Sequence, residues 1–290
     1  MPLKKIIYIV VSVLLFYPCV GQSKRDKKLQ KKVEALIAGF NGDIGVYVKD
    51  IKRGTIAAIN ADSLFPTASM VKVPILIGVM DKIDRGELHY DQELIYNDSL
   101  LYEGVDILGS FKNGEKIELG KVMMLMLTMS DNTASLWLQS LAGTGVRINR
   151  ILDSMGFQRT RVNSRTPDRE LNRSIFGWGQ TTPREMSELL LKIYRKEIFS
   201  EQACNRMMRL LGRNYWDGNA LSSVPPTIQV FSKNGAVNAS RSEVLLVNSR
   251  RTPYVFCICT KNNKDERWTP DNEALKLARA LSALLWNHFN

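Results

Sequence analysis

The chain has 290 residues, 44% of them hydrophobic and 24% charged, with a formal net charge of +11 at pH 7. That length and balance support one large or two modest globular domains and exclude collagen-like, coiled-coil and wholly disordered classes. The positive excess comes without a zinc-finger spacing or an RNA-binding aromatic signature, so no nucleic-acid partner is expected.

In chain order, the first feature is a targeting segment. Lys4 and Lys5 precede an apolar run from Ile6 to Tyr17, and Cys19, Val20, Gly21 and Gln22 follow. This is the layout of a secretory leader over residues 1–21, with cleavage after Gly21, and the run is short for a membrane span. Phe16-Tyr17-Pro18 matches poorly the small-residue box that precedes a lipidated cysteine, so a lipoprotein is the lesser expectation. The chain from residue 22 is expected to be exported to a bacterial periplasm, monomeric and without a stable membrane partner.

Lys24, Arg25, Lys27, Lys28, Lys31 and Lys32 crowd the next stretch. They read as the solvated face of an amphipathic helix over residues 25–40 that packs Val33, Ile37 and Phe40. Strands are predicted over 43–49 and 55–60, joined by the turn Lys52-Arg53-Gly54. From about 63 to 211 the apolar spacing becomes helical, most clearly over 69–85, 119–129, 133–141, 146–155, 183–196 and 201–211. Thr182 before Pro183 makes a good helix start. Three strands follow over 228–233, 243–248 and 254–260, then a terminal helix over 271–288.

The layout predicts an α/β fold. A five-stranded antiparallel sheet is flanked by helices and interrupted by an inserted all-α lobe. The sheet lobe takes about 22–62 and 212–290, the helical lobe about 63–211, and a site is expected in the cleft between them. Without Cys19 the chain keeps Cys204, Cys257 and Cys259, an odd number. Cys257 and Cys259 fall on one face of a strand and are expected buried and reduced, with a bridge from Cys204 left open.

Several chemistries are excluded. The only histidines are His89 and His288, in polar or terminal contexts that suggest surface roles. A Ser-His-Asp triad or a histidine-bound zinc is therefore not expected. No G-x-S-x-G elbow occurs. Residues 114–121 have the wrong spacing for a phosphate loop, and 177–179 lack the third glycine of a dinucleotide loop.

Three short elements remain. In Thr67-Ala68-Ser69-Met70-Val71-Lys72-Val73-Pro74, Ser69 falls in a first helical turn, and Lys72 lies three residues on along the same face. Burial beside the apolar run from Val73 to Val79 would depress the lysine and let it act as a base. Ser130-Asp131-Asn132 follows a Met-rich helix whose methionines read as core. Its serine can relay a proton and its asparagine can hold a carbonyl, although all three residues are also good helix caps. Lys233-Asn234-Gly235 ends a strand, offering a cation for a carboxylate and a glycine where backbone approaches closely.

In this order and at these separations the set S-x-x-K, S-D-N and K-x-G resembles the class A β-lactamases and related penicillin-binding proteins. Gly104-Val105-Asp106-Ile107-Leu108 and Thr181-Thr182-Pro183-Arg184-Glu185-Met186 resemble further family segments, so the likeness spans nearly the whole chain. It implies the sheet-and-lobe fold and a serine hydrolase acting on a β-lactam or a peptidoglycan-stem-like amide, with no metal or organic cofactor. By resemblance, Ser69 is the nucleophile, Lys72 removes its proton directly or through water and Asp168, and Ser130 is the proton relay. Asn132 and Asn172 orient substrate and water, Lys233 and Arg241 bind its carboxylate, and the N–H groups of Ser69 and Ala236 form the oxyanion hole. Two positions depart from the family. Asp168, in Asp168-Arg169-Glu170-Leu171-Asn172, stands where a glutamate activates the deacylating water, with Glu170, at the family's second and structural acidic position, as the alternative, and Asn234 replaces a threonine or serine.

Overall fold

The computed structural model describes residues 24–104 and 106–290. The expected leader, its cleavage point and Cys19 lie outside them. Asp26 caps helix α1 (Lys27–Ile37) by accepting the Leu29 N–H at 2.9 Å, and the helix buries Leu29 and Val33. A cap of this kind contributes about 1 kcal/mol. Strand β1 (Asp43–Asp50) then turns back into β2 (Ile56–Ile59). Asp50 Oδ1 closes that turn by accepting the N–H groups of Lys52 and Arg53, each at 2.8 Å.

The chain crosses into the second lobe through β3 (Phe65–Pro66), a 3₁₀ turn over Ala68–Val71 and α2 (Lys72–Asp84). Every residue of α2 from Lys72 to Met80 is buried, which makes it the central helix of the lobe. Around it stand β4 (Glu93–Ile95), β5 (Lys116–Glu118), α3 (Leu119–Met124), a π-helical turn over Leu125–Met129, α4 (Asn132–Leu141) and α5 (Thr144–Ser154). Next come β6 (Arg161–Val162), α6 (Glu170–Phe176), β7 (Gly179–Thr181), α7 (Pro183–Tyr194) and α8 (Glu201–Leu211). The chain returns as β8 (Val230–Val237), β9 (Ser240–Val247) and β10 (Tyr254–Lys261), and closes with α9 (Glu273–Phe289).

The main sheet is five-stranded and antiparallel, as the sequence predicts, and its strands run in the order β2-β1-β10-β9-β8. The inserted lobe adds two small sheets to its helices, β3-β7-β6 and β4-β5. Helix α7 lies across β1, β10 and β9 on one face, and α9 packs on α1 and on β9 and β10. Both faces of β9 and β10 are therefore covered. Val244, Leu246, Val255 and Cys257 join the core of the inserted lobe, while Leu245, Val247, Phe256 and Ile258 join a second core under the terminal helices. Cys204, Cys257 and Cys259 are buried and free, with the last two sulfurs 3.5 Å apart. The bridge from Cys204 that the sequence left open is not made. His89 is exposed, but His288 is half-buried, its Nε2 3.0 Å from Asp26 Oδ2, so it ties the end of α9 to the start of α1.

Candidate active site

Strand β8 is an edge of the main sheet, and the 3₁₀ turn carrying Ser69 packs against it. The contact is close. A Cβ on Gly235 would lie 2.4 Å from the Thr67 carbonyl oxygen and 2.8 Å from the Ser69 nitrogen. Glycine is needed there because the backbone of the Ser69 turn occupies the space. Ala68, just before Ser69, has a φ of 43°, a conformation that costs a non-glycine residue about 1–3 kcal/mol and recurs at functional sites.

Lys72 begins α2 and is fully buried. Its Nζ lies 3.1 Å from Ser69 Oγ, 3.1 Å from Ser130 Oγ and 2.9 Å from Asn132 Oδ1, and it also donates to the Ser130 carbonyl. Burial depresses its ammonium to about 7, against the opposing pull of Asp106 and then Asp131. Near neutral pH a large fraction of Lys72 is thus an unprotonated amine in contact with a serine hydroxyl.

Ser130 reaches Lys72 because of the π turn. Helix α3 widens into Leu125–Met129, and Ser130 terminates it with a left-handed φ of 63°, which aims both its oxygens at the lysine. Asp131 then caps α4 through the Ala134 N–H at 2.7 Å and holds the Leu108 N–H at 2.8 Å, so its part is structural. Lys233 Nζ comes from β8 to the same Ser130 hydroxyl, at 3.1 Å, and also contacts the Asn234 carbonyl oxygen at 2.9 Å and Asn234 Oδ1 at 3.3 Å. Burial, and then Lys72, press Lys233 well below the ordinary lysine range, while Glu243 acts in the opposite sense. Glu243 lies in register with Asn234 on β9, buried, with its carboxyl pushed up to about 7 by burial.

Ser69, Lys72, Ser130, Asn132, Lys233, Asn234 and Gly235 therefore form one hydrogen-bonded and packed cluster. The remaining candidates stand differently. Ala236 lies opposite Arg241 at the end of the β8–β9 hairpin. The guanidinium of Arg241 is buried on the carbonyls of Val237, Asn238, Ser240 and Arg267 and lies 4.4 Å from the Trp268 ring centre. A substrate carboxylate would have to compete with those carbonyls for it. Asn172 donates to Gln180 Oε1 at 3.0 Å, which also receives Arg169 at 2.9 Å. Arg169 further donates to Asn163 Oδ1 at 2.7 Å and so ties the 163–180 loop to itself. Asp168 is exposed, with a φ of 63°, and makes no hydrogen bond to Ser69, Lys72 or Asn172. The acids that act on Lys72 are Asp106 and Asp131.

Asp106 is a residue whose role sequence reasoning missed. Its Oδ2 accepts the Thr133 N–H at 2.8 Å and contacts Thr133 Oγ1 at 3.2 Å, which places a carboxylate beside the residue that follows Asn132. In Asp106→Asn the side-chain oxygen can keep those contacts while the charge is lost. Lys72 needs to be neutral to act as a base, so acylation should rise with pH through about 7. Removing the neighbouring negative charge depresses Lys72 further. The midpoint of the acylation pH profile should therefore move to lower pH, by on the order of one unit. A pre-steady-state acylation series from pH 5 to 9 on both proteins checks this, and an unmoved midpoint would leave Asp106 a purely structural cap.

Exposed aromatics border the cluster. Tyr102 is held by its N–H on Thr133 Oγ1 at 3.1 Å and packs edge-on to Trp178 at 5.1 Å. Trp216 donates Nε1 to the Met129 carbonyl at 2.8 Å, next to Ser130. Isolated loop aromatics carry no periodic signal, so sequence alone did not single them out.

A family model described as the beta-lactamase enzyme family matches residues 28–289. Beta-lactamase VEB-1 of Pseudomonas aeruginosa is 22% identical over 299 residues, covering 99% of this chain and 98% of its own. The solved structure of PBP-A has a TM-score of 0.81 at 22% identity, over 93% of this chain and 98% of that one. A representative of class A beta-lactamase from Bacteroides cellulosilyticus gives 0.79 at 17% identity, over 90% and 96%. Likeness to solved structures at these identities carries the fold, and the chemistry rests on the site.

Proposed function

The chain belongs to the beta-lactamase enzyme family, and on that premise we propose that it opens β-lactam rings through an acyl-enzyme on Ser69. The observation that carries the reading is the Ser130 hydroxyl held at 3.1 Å by both Lys72 and Lys233, with Ser69 Oγ 3.1 Å from Lys72 on the other side. Neutral Lys72 takes the Ser69 proton as Oγ bonds to the lactam carbonyl carbon. The oxyanion meets the N–H groups of Ser69 and Ala236, a pair of donors of which each typically supplies about 3 kcal/mol. As the C–N bond breaks, Ser130 gives its proton to the leaving nitrogen and regains one from Lys72. Lys233, with the Asn234 amide beside it, attracts the substrate carboxylate. Water then releases the product from Ser69.

The test is the purified protein with a chromogenic cephalosporin, followed by intact mass. Colour and a transient covalent adduct are expected, and the absence of both would overturn the reading. The exposed carboxylate of Asp168 favours a second outcome within the same chemistry: an enzyme that acylates readily and releases slowly, as a penicillin-sensitive cell-wall D,D-peptidase or a sensor module would.

The site of action is proposed to be the bacterial periplasm, on the strength of Lys4, Lys5 and the apolar run from Ile6 to Tyr17. Protein recovered from the native envelope should begin near Gln22 and carry no lipid. N-terminal mass analysis showing an acylated Cys19 would overturn this.

A further inference from the structure

Strand β8 is an edge of the main sheet, and the donor at Ala236 lies near its end. Val237 and Ser240 form the last pair of the hairpin, a tight turn at Asn238 and Ala239 closes it, and Ala236 stands opposite Arg241. Backbone at the end of an edge strand has few partners and opens readily. An oxyanion donor must nonetheless hold its place closely, because its contribution depends on distance.

Arg241 gathers that end of the hairpin. Its Nη1 donates to the Val237 carbonyl and to those of Asn238 and Ser240, the last two at 3.1 and 3.0 Å, while Nη2 donates to the Arg267 carbonyl at 3.0 Å. Trp268 covers the guanidinium and donates Nε1 to Asn238 Oδ1 at 3.2 Å. Arg267 and Trp268 belong to a segment that is itself fastened to the start of α9. There Asn272 Nδ2 donates to the carbonyls of Asp265 and Arg267, at 2.8 and 3.1 Å, and Asp265 Oδ2 accepts the Glu273 N–H at 2.8 Å. Thr260 Oγ1 fixes the main chain of Arg241 as well, accepting its N–H at 2.9 Å and donating to its carbonyl at 2.8 Å. The buried side chain is thus a clasp between the β8–β9 hairpin and the start of α9.

We propose that Arg241 is a positioning residue for the oxyanion donor at Ala236, and not a ligand of the substrate carboxylate. The proposal deepens the acyl-enzyme reading above and rests on it for the part given to Ala236. Turning the guanidinium toward a substrate would strip the carbonyls of the turn of their donor, and a buried hydrogen bond left unmade is costly. The carboxylate is then left to Lys233 and the Asn234 amide beside it. A lysine at position 241 would keep the charge but not the planar fork that spans these carbonyls.

The experiment compares wild type, Arg241→Lys and Arg241→Ala on a β-lactam free acid and on its methyl ester, by intact mass in single-turnover reactions. Both variants should lower the saturating acylation rate about tenfold to a hundredfold for acid and ester alike, with half-saturating concentrations within about threefold of wild type. The adduct should still reach one per protein at long times, which a partly unfolded variant would not allow. Trp268→Ala, at an exposed position, loosens the clasp without altering residue 241 and should slow both substrates about threefold. Phenylboronic acid has no carboxylate and adds to a catalytic serine with an oxygen at the oxyanion donors, so its affinity should fall in parallel with the acylation rate. A larger loss for the acid than for the ester, or a boronic acid affinity unaltered in both Arg241 variants, would overturn the proposal. Wild-type protein that binds the boronic acid but takes no β-lactam adduct would remove the β-lactam reading instead, and the boronic acid comparison would then decide the place of Arg241.

Discussion

Ser69→Ala is expected to remove turnover and covalent labelling together, with kcat/KM falling roughly 10⁴-fold or more. The cluster holds a second hydroxyl in contact with the same lysine: Ser130 Oγ and Ser69 Oγ both lie 3.1 Å from Lys72 Nζ. Distance alone therefore does not choose the nucleophile. Environment does. The Ser130 hydroxyl is shared with Lys233 and sits between two lysine nitrogens, where it is placed to pass a proton on. Ser69 lies in the 3₁₀ turn that leads into α2, with its own main-chain N–H and the end of β8 beside it, where negative charge on a carbonyl oxygen can be met. Ser130→Ala should thus still acquire a β-lactam adduct, more slowly, at Ser69. Peptide mapping of the adduct in both variants decides this, and undiminished labelling of Ser130 in Ser69→Ala protein would reverse the two roles.

The second large effect lies in deacylation. The acyl-enzyme is expected to accumulate, giving a burst followed by slow steady-state turnover. A carboxylate that activates water must come within about 3 Å of it, and misplacement by about 1 Å costs on the order of a hundredfold. Asp168 is one methylene shorter than the glutamate of the family pattern, and the loop is fastened around Arg169, Asn163 and Gln180 with the Asp168 carboxylate exposed. Asp168→Glu should quicken release and leave acylation unaltered, because Lys72 and Ser130 do not contact residue 168. Rapid-quench mass spectrometry on both proteins measures the acylated fraction. Fast wild-type turnover with no detectable acyl-enzyme, together with a slower Asp168→Glu, would mean that the loop works around aspartate.

The parts of this molecule that were legible in the sequence are those with a period. Helices α7, α8 and α9 carry apolar stripes, and β10 and the second half of β9, from Val244 to Val247, read as continuous apolar runs because both faces are covered. Strands β3, β6 and β7 have two or three residues each, too few for any pattern, and their pairing depends on Phe65 meeting Thr181 across more than a hundred residues. Helix α6, over Glu170–Phe176, has no buried residue and so no apolar stripe to announce it. Of the site, Ser69, Lys72, Ser130 and Lys233 were readable as an ordered set. Asp106 was not, because its partner Thr133 lies 27 residues on and a single loop acid has no local signal. The place of Arg241 was hidden for a related reason. The hairpin after Ala236 sets its guanidinium among main-chain carbonyls, and no side-chain pattern reports where carbonyls point.

The widened turn before Ser130 also makes the chemistry depend on chain length. In an α-helix each residue advances the direction of its side chain by about 100°. A π turn takes up one residue more for the same progress along the axis. Were Leu125–Met129 to lose a single residue and wind as α-helix, Ser130 and Asn132 would arrive out of phase with Lys72, though no catalytic side chain had changed. The segment is in that sense a spacer: Leu125, Met126, Leu127, Thr128 and Met129 can vary in kind as long as they pack, but their number sets the angle at which two hydrogen-bonding residues face the amine.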